Sequence, residues 1–285
     1  MQDPLVYLNG AFTSLSEAKI PVLDRGFIFG DGVYEVIPMY AGRLFRVRQH
    51  MARLFRSLAA VGIANPYSEQ EWMALIARVT DAYAAGFAAD NQLVYMQVTR
   101  GVARRAHAFP KDVAPTVFIM TNDFTPPSAE MCDNGIACVT MEDQRWLRCD
   151  IKSISLLGNV LAAQQAAEQG AAEAIQFRDG FLTEGASSNV WVVKDGKLMG
   201  PPTDALILEG IRYGLIAELC ATCNIPFEAR RITRSEVFSA DEVLLSSAGR
   251  EVLPVVTLDG RPVGDGKPGP VFRLLHAAYQ DAKRA

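Results

Sequence analysis

Two consecutive prolines divide the chain into two β-rich parts. Pro126 and Pro127 lie in the segment 122–129, which has no apolar period. Each proline fixes its own backbone angle and lacks an N–H donor, so neither a helix nor a central strand continues through such a pair. The sequence of 285 residues therefore predicts an N-terminal domain over 1–121, a linker over 122–129 and a larger C-terminal domain over 130–285.

Aromatic and β-branched residues dominate both sides of Ala41-Gly42, which predicts a β-hairpin over 32–47. Apolar residues then recur at helical spacing from Met51 to Leu58 and from Trp72 to Tyr83, which predicts two amphipathic helices. The same part has two further strand candidates, Leu93–Thr99 and Thr116–Thr121. A polar loop with Arg104, Arg105 and His107 joins these two strands, and loops of this length often have functional roles.

The part beyond the prolines also mixes strands and helices. Strands are predicted at Ile136–Met141, Ala174–Arg178 and Val190–Val193, and helices near Leu156–Gln169, Gly210–Cys223 and Pro270–Lys283. Because strands and helices are mixed on both sides of the linker, the predicted fold class is α+β in two domains. No internal repeat is visible.

Composition and motifs exclude several functions. The net charge of -4, with 28 basic and 32 acidic residues, argues against nucleic-acid binding. No apolar run is long enough to span a membrane, and the N-terminus has no secretory signal, so we expect a cytoplasmic protein. The five cysteines are expected to be free thiols, with Cys220 and Cys223 in packing roles. The three histidines form no metal motif, so no metal is predicted, and no Walker loop, GxGxxG or GxSxG is present.

Lys152 is unusual because it lies in an apolar stretch, CDIKSISLLGNV, which the pattern places at a strand end before a helix. A lysine at a strand end often extends its ammonium group into water while its carbon chain stays in apolar surroundings. A buried lysine of lowered pKa is also what Schiff-base chemistry requires, since the neutral amine is the nucleophile. The residues alone leave both interpretations open.

Three motifs occur together in one order: DRGFIFGDGVYEV at 24–36, WLRCDIKSISLLGNVLAAQQA at 146–166 and FLTEGASSNVW at 181–191. With these motifs the chain resembles the fold-type IV pyridoxal-phosphate enzymes over nearly its whole length. Within that group it is most similar to the D-amino acid aminotransferases. The resemblance implies a two-domain α+β fold and bound pyridoxal 5'-phosphate.

The resemblance implies a role for several residues around that cofactor. Lys152 matches the lysine that forms the Schiff base and later moves the substrate proton. Glu184 matches the carboxylate on the pyridine nitrogen, although by itself a glutamate before Gly185 would be an ordinary solvated loop acid. The other cofactor-binding positions implied by the resemblance are Arg53, Leu208, Ile211, Arg212, Ser247 and Ala248.

The residues implied to bind the cofactor phosphate are a cationic side chain and the first residues of a predicted helix. Arg53 matches the family's phosphate-binding arginine, although helical spacing alone places it on the exposed face. Ile211 and Arg212 begin a predicted helix, whose N–H groups and dipole favour an anion. Leu208 matches the apolar residue that packs on the cofactor ring.

Arg105 and His107 suggest the substrate class, because a guanidinium can bind a carboxylate through two hydrogen bonds. By themselves, an arginine and a histidine in a loop are usually surface residues. In D-amino acid aminotransferases a matching pair reaches across from the partner subunit to bind the substrate carboxylate, with Tyr34 completing the site. The resemblance therefore implies a homodimer with shared active sites that acts on amino acids and 2-oxo acids.

The chain departs from the family pattern at two phosphate positions. Arg212 and Ala248 stand where close relatives place hydroxyl residues, and Arg250 adds a charge nearby. We consider two roles for Arg212 or Arg250, at the phosphate or at a distal substrate carboxylate such as that of D-glutamate. A solvated surface arginine is the third interpretation.

The leading hypothesis is a D-amino acid transaminase that works by a ping-pong mechanism. Three alternatives share the fold: an (R)-amine transaminase, a branched-chain L-amino acid aminotransferase and an aminodeoxychorismate lyase. A non-catalytic small-molecule-binding protein is a further alternative, although such a protein should have lost Lys152 or Glu184.

Overall fold

A computed structural model describes residues 3–284, so the outermost ends of the two predicted domains, at 1–2 and 285, lie outside it. The chain folds into two compact units. The first comprises residues 3–125 with Ile151–Leu156, and the second comprises Pro126–Asp150 with residues 157–284.

The segment that contains Lys152 packs with the first unit, whereas the sequence placed it in the domain over 130–285. Backbone hydrogen bonds explain the difference. The Tyr34 N–H donates to the Lys152 carbonyl at 3.0 Å, and Val33 and Ser153 form a single antiparallel bridge. The segment 151–156 therefore pairs with Val33 and Tyr34 of the first unit.

The first unit contains a six-stranded antiparallel sheet. Its strands are β1 (Leu5–Leu8), β2 (Ala11–Ser14), β3 (Gly32–Tyr40), β4 (Arg43–Leu44), β5 (Gln92–Thr99) and β6 (Thr116–Asp123). They are arranged in the order β2-β1-β6-β5-β3-β4. The predicted hairpin is confirmed as β3 and β4, which a turn joins at Ala41 and Gly42, both with positive φ.

Three helices belong to this unit: α1 (Arg25–Phe29), α2 (Val47–Ala60) and α3 (Glu69–Phe87). The last two confirm the predicted amphipathic helices, and Ser68 starts α3 with a capping box. Their apolar side chains, such as Leu54 and Ile76, form one core with Val33 and Ile37 of β3. Because side chains alternate along a strand, Tyr34 lies on the sheet face opposite that core.

The second unit contains a nine-stranded mixed sheet. Its strands are β7 (Ile136–Glu142), β8 (Glu173–Arg178), β9 (Phe181–Gly185), β10 (Asn189–Lys194), β11 (Lys197–Gly200), β12 (Phe227–Ala229), β13 (Glu242–Ser247), β14 (Glu251–Leu258) and β15 (Arg261–Pro262). The order is β12-β11-β10-β13-β14-β7-β8-β9, and β15 pairs with β14. Its helices are α4 (Ala129–Asn134), α5 (Leu157–Glu168), α6 (Ile211–Thr222), α7 (Arg234–Phe238) and α8 (Pro270–Arg284).

All six elements predicted for this part are present, with shifts of at most one residue at their ends, and the α+β class is confirmed. The β13–β14 pair at the centre of the sheet was not predicted from the sequence. Within residues 3–284, no helix has the length and apolar character needed to cross a membrane.

Candidate active site

Lys152 lies in irregular backbone between a turn and α5, and the strand end that the sequence predicted there is wrong. Its backbone is fixed on both sides, because its N–H donates to Ser57 Oγ at 3.2 Å and its carbonyl accepts from Tyr34. The half-buried side chain places Nζ 4.2 Å from the centroid of the Tyr34 ring. Within its unit, Nζ has no hydrogen-bond or ion-pair partner among the described residues. The backbone of Lys152 is therefore fixed, while its side-chain amine is paired with no acidic residue of the same unit.

Tyr34 forms an aromatic surface with Tyr95 of the neighbouring strand. The two rings stack with centroids 5.8 Å apart, and the Tyr95 hydroxyl donates to Gln97 Oε1 at 2.6 Å. Burial raises the pKa of Tyr95 to about 12. Tyr95 thus supports the Tyr34 ring over which the Lys152 amine lies.

Arg53 is buried, which contradicts the exposure expected from helical spacing. Its Nε and Nη2 donate to the two carboxylate oxygens of Glu35, at 3.0 and 2.6 Å. The His50 Nδ1 lies 2.9 Å from the same carboxylate. Burial acts to raise the pKa of Glu35, but the charges of Arg53 and His50 outweigh it and hold that pKa far below its usual range. Glu35 therefore stays ionised and fixes the orientation of the guanidinium.

Arg105 and His107 lie on the predicted loop between β5 and β6, and both are exposed. Both side chains lie near Phe29 of α1: the Arg105 Cζ is 5.3 Å from the ring centroid, and the His107 and Phe29 ring centroids are 5.6 Å apart. Within the described part of the chain, neither residue forms a hydrogen bond or ion pair with Tyr34 or Lys152. The first unit thus groups Lys152 with Tyr34, and Arg105 with His107.

A buried charge network holds the Arg105 loop, and the sequence analysis did not identify it. The Arg25 Nη1 and Nη2 donate to the carbonyls of Ala106 and His107, at 2.6 and 3.3 Å. Asp31 accepts from Arg25 at 2.7 Å and from Arg100 at 2.8 and 3.0 Å. Burial acts to raise the pKa of Asp31, but the hydrogen bonds from the two arginines lower it overall. The signal was present in the DRGFIFGDG motif, in which an arginine and an aspartate stand six residues apart.

Glu184 lies at the end of strand β9 and is buried, so the solvated loop position expected without the family motif is wrong. Its Oε1 accepts a hydrogen bond from Arg145, and its Oε2 accepts from the Leu208 N–H at 3.1 Å and from Asn189 Nδ2 at 3.4 Å. Burial raises the pKa of Glu184 to about 7, against the opposing charge of Arg145. A buried carboxylate with this pKa can share a proton with a ring nitrogen.

Arg145 is a second functional residue that the sequence analysis missed. It bridges Glu184 and Asp143, and it donates to both Asp143 oxygens, at 2.8 and 2.9 Å. Thr183 also donates to Asp143, at 2.9 Å. Burial acts to lower the pKa of Arg145, but the bound carboxylates raise it overall. Its partner Glu184 lies 39 residues away along the chain, so no local pattern could reveal the pair.

The start of α6 provides backbone donors close to Glu184. Gly210 precedes the helix, and no side chain caps it. A Cβ at Gly210 would lie 2.0 Å from Asn189 Oδ1, so a larger residue would displace the Asn189 side chain. Asn189 Nδ2 also donates to the Leu208 carbonyl at 2.9 Å. Asn189 thus positions both Leu208 and the helix start, at which Ile211 and Arg212 are the first two residues.

The Arg212 side chain is almost fully buried, so its interpretation as a solvated surface residue is wrong. Its Nε donates to the hydroxyl of Tyr279 in α8 at 3.1 Å. The guanidinium therefore links α6 to α8, while the Arg212 backbone stays at the helix start.

Arg250 follows Ser247 and Ala248 in the turn between β13 and β14. Its backbone N–H donates to Ser247 Oγ at 3.1 Å. Its Nη2 donates to the Ala172 carbonyl at 2.7 Å and lies 3.7 Å from the Glu173 carboxylate. The side chain thus binds the start of β8, and 28% of it remains accessible to solvent.

Glu173 organises the turn that follows Glu184. It accepts hydrogen bonds from the hydroxyls of Ser187 and Ser188, at 2.9 and 3.0 Å, and from the Ala186 N–H at 3.2 Å. This side chain is buried. Glu173 thereby fixes the loop between β9 and β10, the strands that present Glu184 and Asn189.

The functional groups match the needs of one kind of cofactor. The first unit has the Lys152 amine, without an acidic partner in that unit, beside the Tyr34 ring. The second unit has the buried Glu184 carboxylate near the start of α6, which no side chain caps. An amine can bind a carbonyl, an acid of raised pKa can pair with a heteroaromatic nitrogen, and a helix start can bind a phosphate. These residues fit pyridoxal phosphate.

Comparisons with known proteins agree with this chemistry. The profile of the amino-transferase class IV family matches residues 32–258, and the chain belongs to that family.

Curated relatives share much of the sequence. The chain is 44% identical to a D-alanine aminotransferase of Staphylococcus aureus (strain MSSA476) over 276 residues, which cover 96% of each chain. It is 41% identical to a D-alanine aminotransferase of Bacillus licheniformis over 281 residues, 97% of this chain and 96% of that one.

Among solved structures, the branched-chain amino acid aminotransferase of Escherichia coli superposes with a TM-score of 0.91 at 25% identity, over 98% of this chain and 94% of that one. The branched-chain aminotransferase of the thermophilic archaeon Thermoproteus uzoniensis, solved with norvaline, gives a TM-score of 0.87 at 26% identity, again over 98% and 94% of the two chains. Both comparisons support the fold.

Proposed function

We propose that this chain is a pyridoxal-phosphate-dependent transaminase that exchanges an amino group between D-amino acids, such as D-alanine and D-glutamate, and 2-oxo acids. The Lys152 amine carries this proposal, because it lies over the Tyr34 ring with no acid bound to it in its own unit. The D-alanine aminotransferases to which the chain is 41–44% identical support the choice of substrate.

When bound, pyridoxal phosphate supplies a carbonyl for covalent attachment and a ring that withdraws electrons from the substrate. Lys152 would hold it through Nζ, and Glu184 would keep the ring nitrogen protonated. The phosphate would bind the N–H groups of Ile211 and Arg212, with Arg53 as its cationic partner. Ser247 and Ala248 would lie at the phosphate, and Leu208 would pack on the ring.

Lys152 would also carry the proton that amino transfer requires. As a free neutral amine, Nζ would remove the Cα proton of the amino donor. The same amine returns a proton when the 2-oxo acid is converted in the second half of the ping-pong cycle. Because Lys152 would serve as both covalent anchor and acid/base, no separate histidine base is needed.

Arg105, His107 and Tyr34 would bind the substrate carboxylate. Arg105 has no carboxylate partner among residues 3–284, so its guanidinium can donate hydrogen bonds to the carboxylate of a substrate. We propose that this loop serves the active site of a second copy of the chain. Exposed apolar residues on the second unit, including Trp146, Leu157 and Leu161, would be buried in such a homodimer.

We further propose that the enzyme acts in the cytoplasm. All five cysteines are free thiols, which a reducing compartment favours.

The half-reaction tests the proposed function. Purified protein with pyridoxal phosphate is mixed with D-alanine in one cuvette and L-leucine in another, without any 2-oxo acid. We expect D-alanine alone to remove the yellow absorbance of the lysine-bound cofactor and produce the pyridoxamine form.

The other outcomes separate the alternatives. Conversion by L-leucine alone would indicate a branched-chain aminotransferase, which the backbone similarity to the Escherichia coli enzyme would then explain. A yellow protein that reacts with neither would indicate an amine transaminase or a lyase. A protein that takes up no cofactor would refute the proposal, and Lys152→Ala provides the negative control.

A further inference from the structure

Phe29 is the common contact of three cationic or titratable side chains. The Cζ of Arg25 lies 4.8 Å from its ring centroid and that of Arg105 lies 5.3 Å from it. The His107 ring is tilted by 41° against it, with centroids 5.6 Å apart. The two arginine distances are within the range at which the negative face of an aromatic ring attracts a cation.

Helix α1 presents Phe29 and Arg25 on one face, because the two residues are one helical turn apart. Asp24 caps the start of this helix through the Gly26 N–H, at 2.8 Å, and Gly30 ends it in the left-handed conformation. Arg25 holds the loop backbone at Ala106 and His107. The helix thus offers one side chain to the loop backbone and another to the loop side chains.

The side chains of Arg105 and His107 are exposed and have no acidic partner in the described part of the chain. An exposed arginine loses considerable conformational entropy when it binds a ligand. A ring that already orients the guanidinium reduces this loss, which is the general advantage of a preorganised site. Asp31 compensates the charge of Arg25, so Arg105 can share the same ring with it.

We propose that Phe29 is a positioning residue that orients Arg105 and His107 for a substrate carboxylate. This inference rests on the proposed function, in which those two residues bind the carboxylate. The ring touches no reacting atom. It sets the rotamers of the two donors, and it therefore controls substrate affinity rather than the rate of proton transfer.

The test replaces the ring and keeps the apolar contact. In Phe29→Leu, we expect the D-alanine concentration that half-saturates the half-reaction to rise about three- to tenfold, the effect of losing one or two cation–π contacts. The maximal rate should stay within about twofold of that of the wild type, because Lys152 and Tyr34 are unchanged. Phe29→Tyr keeps the ring face, so its half-saturating D-alanine concentration should equal that of the wild type.

Phe12→Leu is the matched control. Phe12 also carries an arginine over its ring, with the Arg78 Cζ 3.8 Å from the centroid, but it lies in β2 and does not contact the loop. This variant should lose a comparable contact without any change in half-saturation. If Phe29→Leu fails to fold, Phe29→Met provides an apolar side chain of similar size without a ring face.

Hydrogen exchange separates side-chain orientation from loop disorder. Since Arg25 still binds the backbone, the amides of residues 104–109 should exchange in Phe29→Leu as in the wild type. Fast exchange there would show that the ring only keeps the loop folded, and this would overturn the inference.

Unchanged half-saturation in Phe29→Leu, with an active wild type, would overturn the inference alone. A wild type that cannot convert D-alanine would refute the proposed function, and the inference with it.

Discussion

Arg145 and Glu184 form a buried ion pair in the second unit, and Asp143 binds the other side of the same guanidinium. All three side chains are nearly or completely inaccessible to solvent. Glu184 thus has a fixed orientation before any ligand binds. Such preorganisation makes an electrostatic interaction effective, because no further ordering is needed during the reaction.

Removal of Arg145 should destabilise the fold. In Arg145→Met the Glu184 carboxylate would remain buried without its cation, and Asp143 would keep only Arg178, at 3.0 Å. Removal of one partner from a buried pair costs about 3–5 kcal/mol. Urea denaturation of the cofactor-free protein measures this. Arg148→Met is the control, because Arg148 pairs with Asp150 at the surface and its loss should leave the unfolding free energy unchanged. Equal stability of both variants would contradict the prediction.

Glu184 should make the cofactor-free protein less stable as the pH rises from about 5 to 7. Burial raises the pKa of Glu184 to about 7, so the folded protein keeps a proton there that the unfolded chain has released. The unfolding free energy therefore decreases with pH across this window. Burial lowers the pKa of His276 and gives the opposite slope, but this contribution is present in every Glu184 variant.

Comparison of the wild type with Glu184→Gln isolates this contribution. Their difference in unfolding free energy should change steadily between pH 5 and 7 and then level off. A constant difference would mean that Glu184 does not titrate there. With the cofactor, the same variant should transfer amino groups more slowly by on the order of 100-fold, as when one charge-stabilising group is removed from a water-excluded site.

Lys152 should be the residue that binds the cofactor covalently. Borohydride reduction of the loaded wild type should attach the cofactor to the peptide that contains Lys152, and mass spectrometry identifies that peptide. Lys152→Ala should lose the attachment and reduce amino transfer by about a thousandfold or more, since the proton carrier is also lost. Lys197→Ala removes an exposed lysine paired with Glu228 and should behave like the wild type.

Asp31→Asn should loosen the loop that contains Arg105. Asp31 accepts from both Arg25 and Arg100, and hydrogen bonds to charged groups contribute about 1.5–3 kcal/mol. We expect faster hydrogen exchange at residues 104–109 and a higher KM for D-alanine. Glu228→Gln, at the surface of the second unit, should change neither. Unchanged exchange in Asp31→Asn would show that the Arg25 contacts hold without their acid.

The sequence predicted the helices and strands that have a clear periodic pattern, and it missed elements that lack a local signal. Helices α2 and α3 were found from the spacing of residues such as Leu54 and Ile76. The β13–β14 pair was overlooked, although residues 251–258 contain the β-branched and apolar residues typical of a buried strand. Strand β12, with three residues, is too short to give a pattern.

At the candidate site, the motifs identified Lys152 and Glu184, but spacing gave the wrong environment for charged residues. Helical periodicity places Arg53 among exposed positions, because it cannot include a carboxylate on another strand, such as Glu35. Arg145 and Arg25 were missed for the same reason. The Arg25 loop contacts lie 81 and 82 residues away, and only the folded chain brings them together.

Gly30 limits how this protein can be re-engineered. A Cβ there would lie 2.6 Å from Ser155 Oγ, and Ser155 in turn donates to the Gly30 carbonyl at 2.9 Å. The short helix that ends at Gly30 is thus tethered to the lysine segment at one end and to the Arg105 loop through Arg25. If residues 104–109 alone were grafted onto a related scaffold, the loop would lack the hydrogen bonds from Arg25 to its backbone. The transferable module is the loop together with residues 24–32.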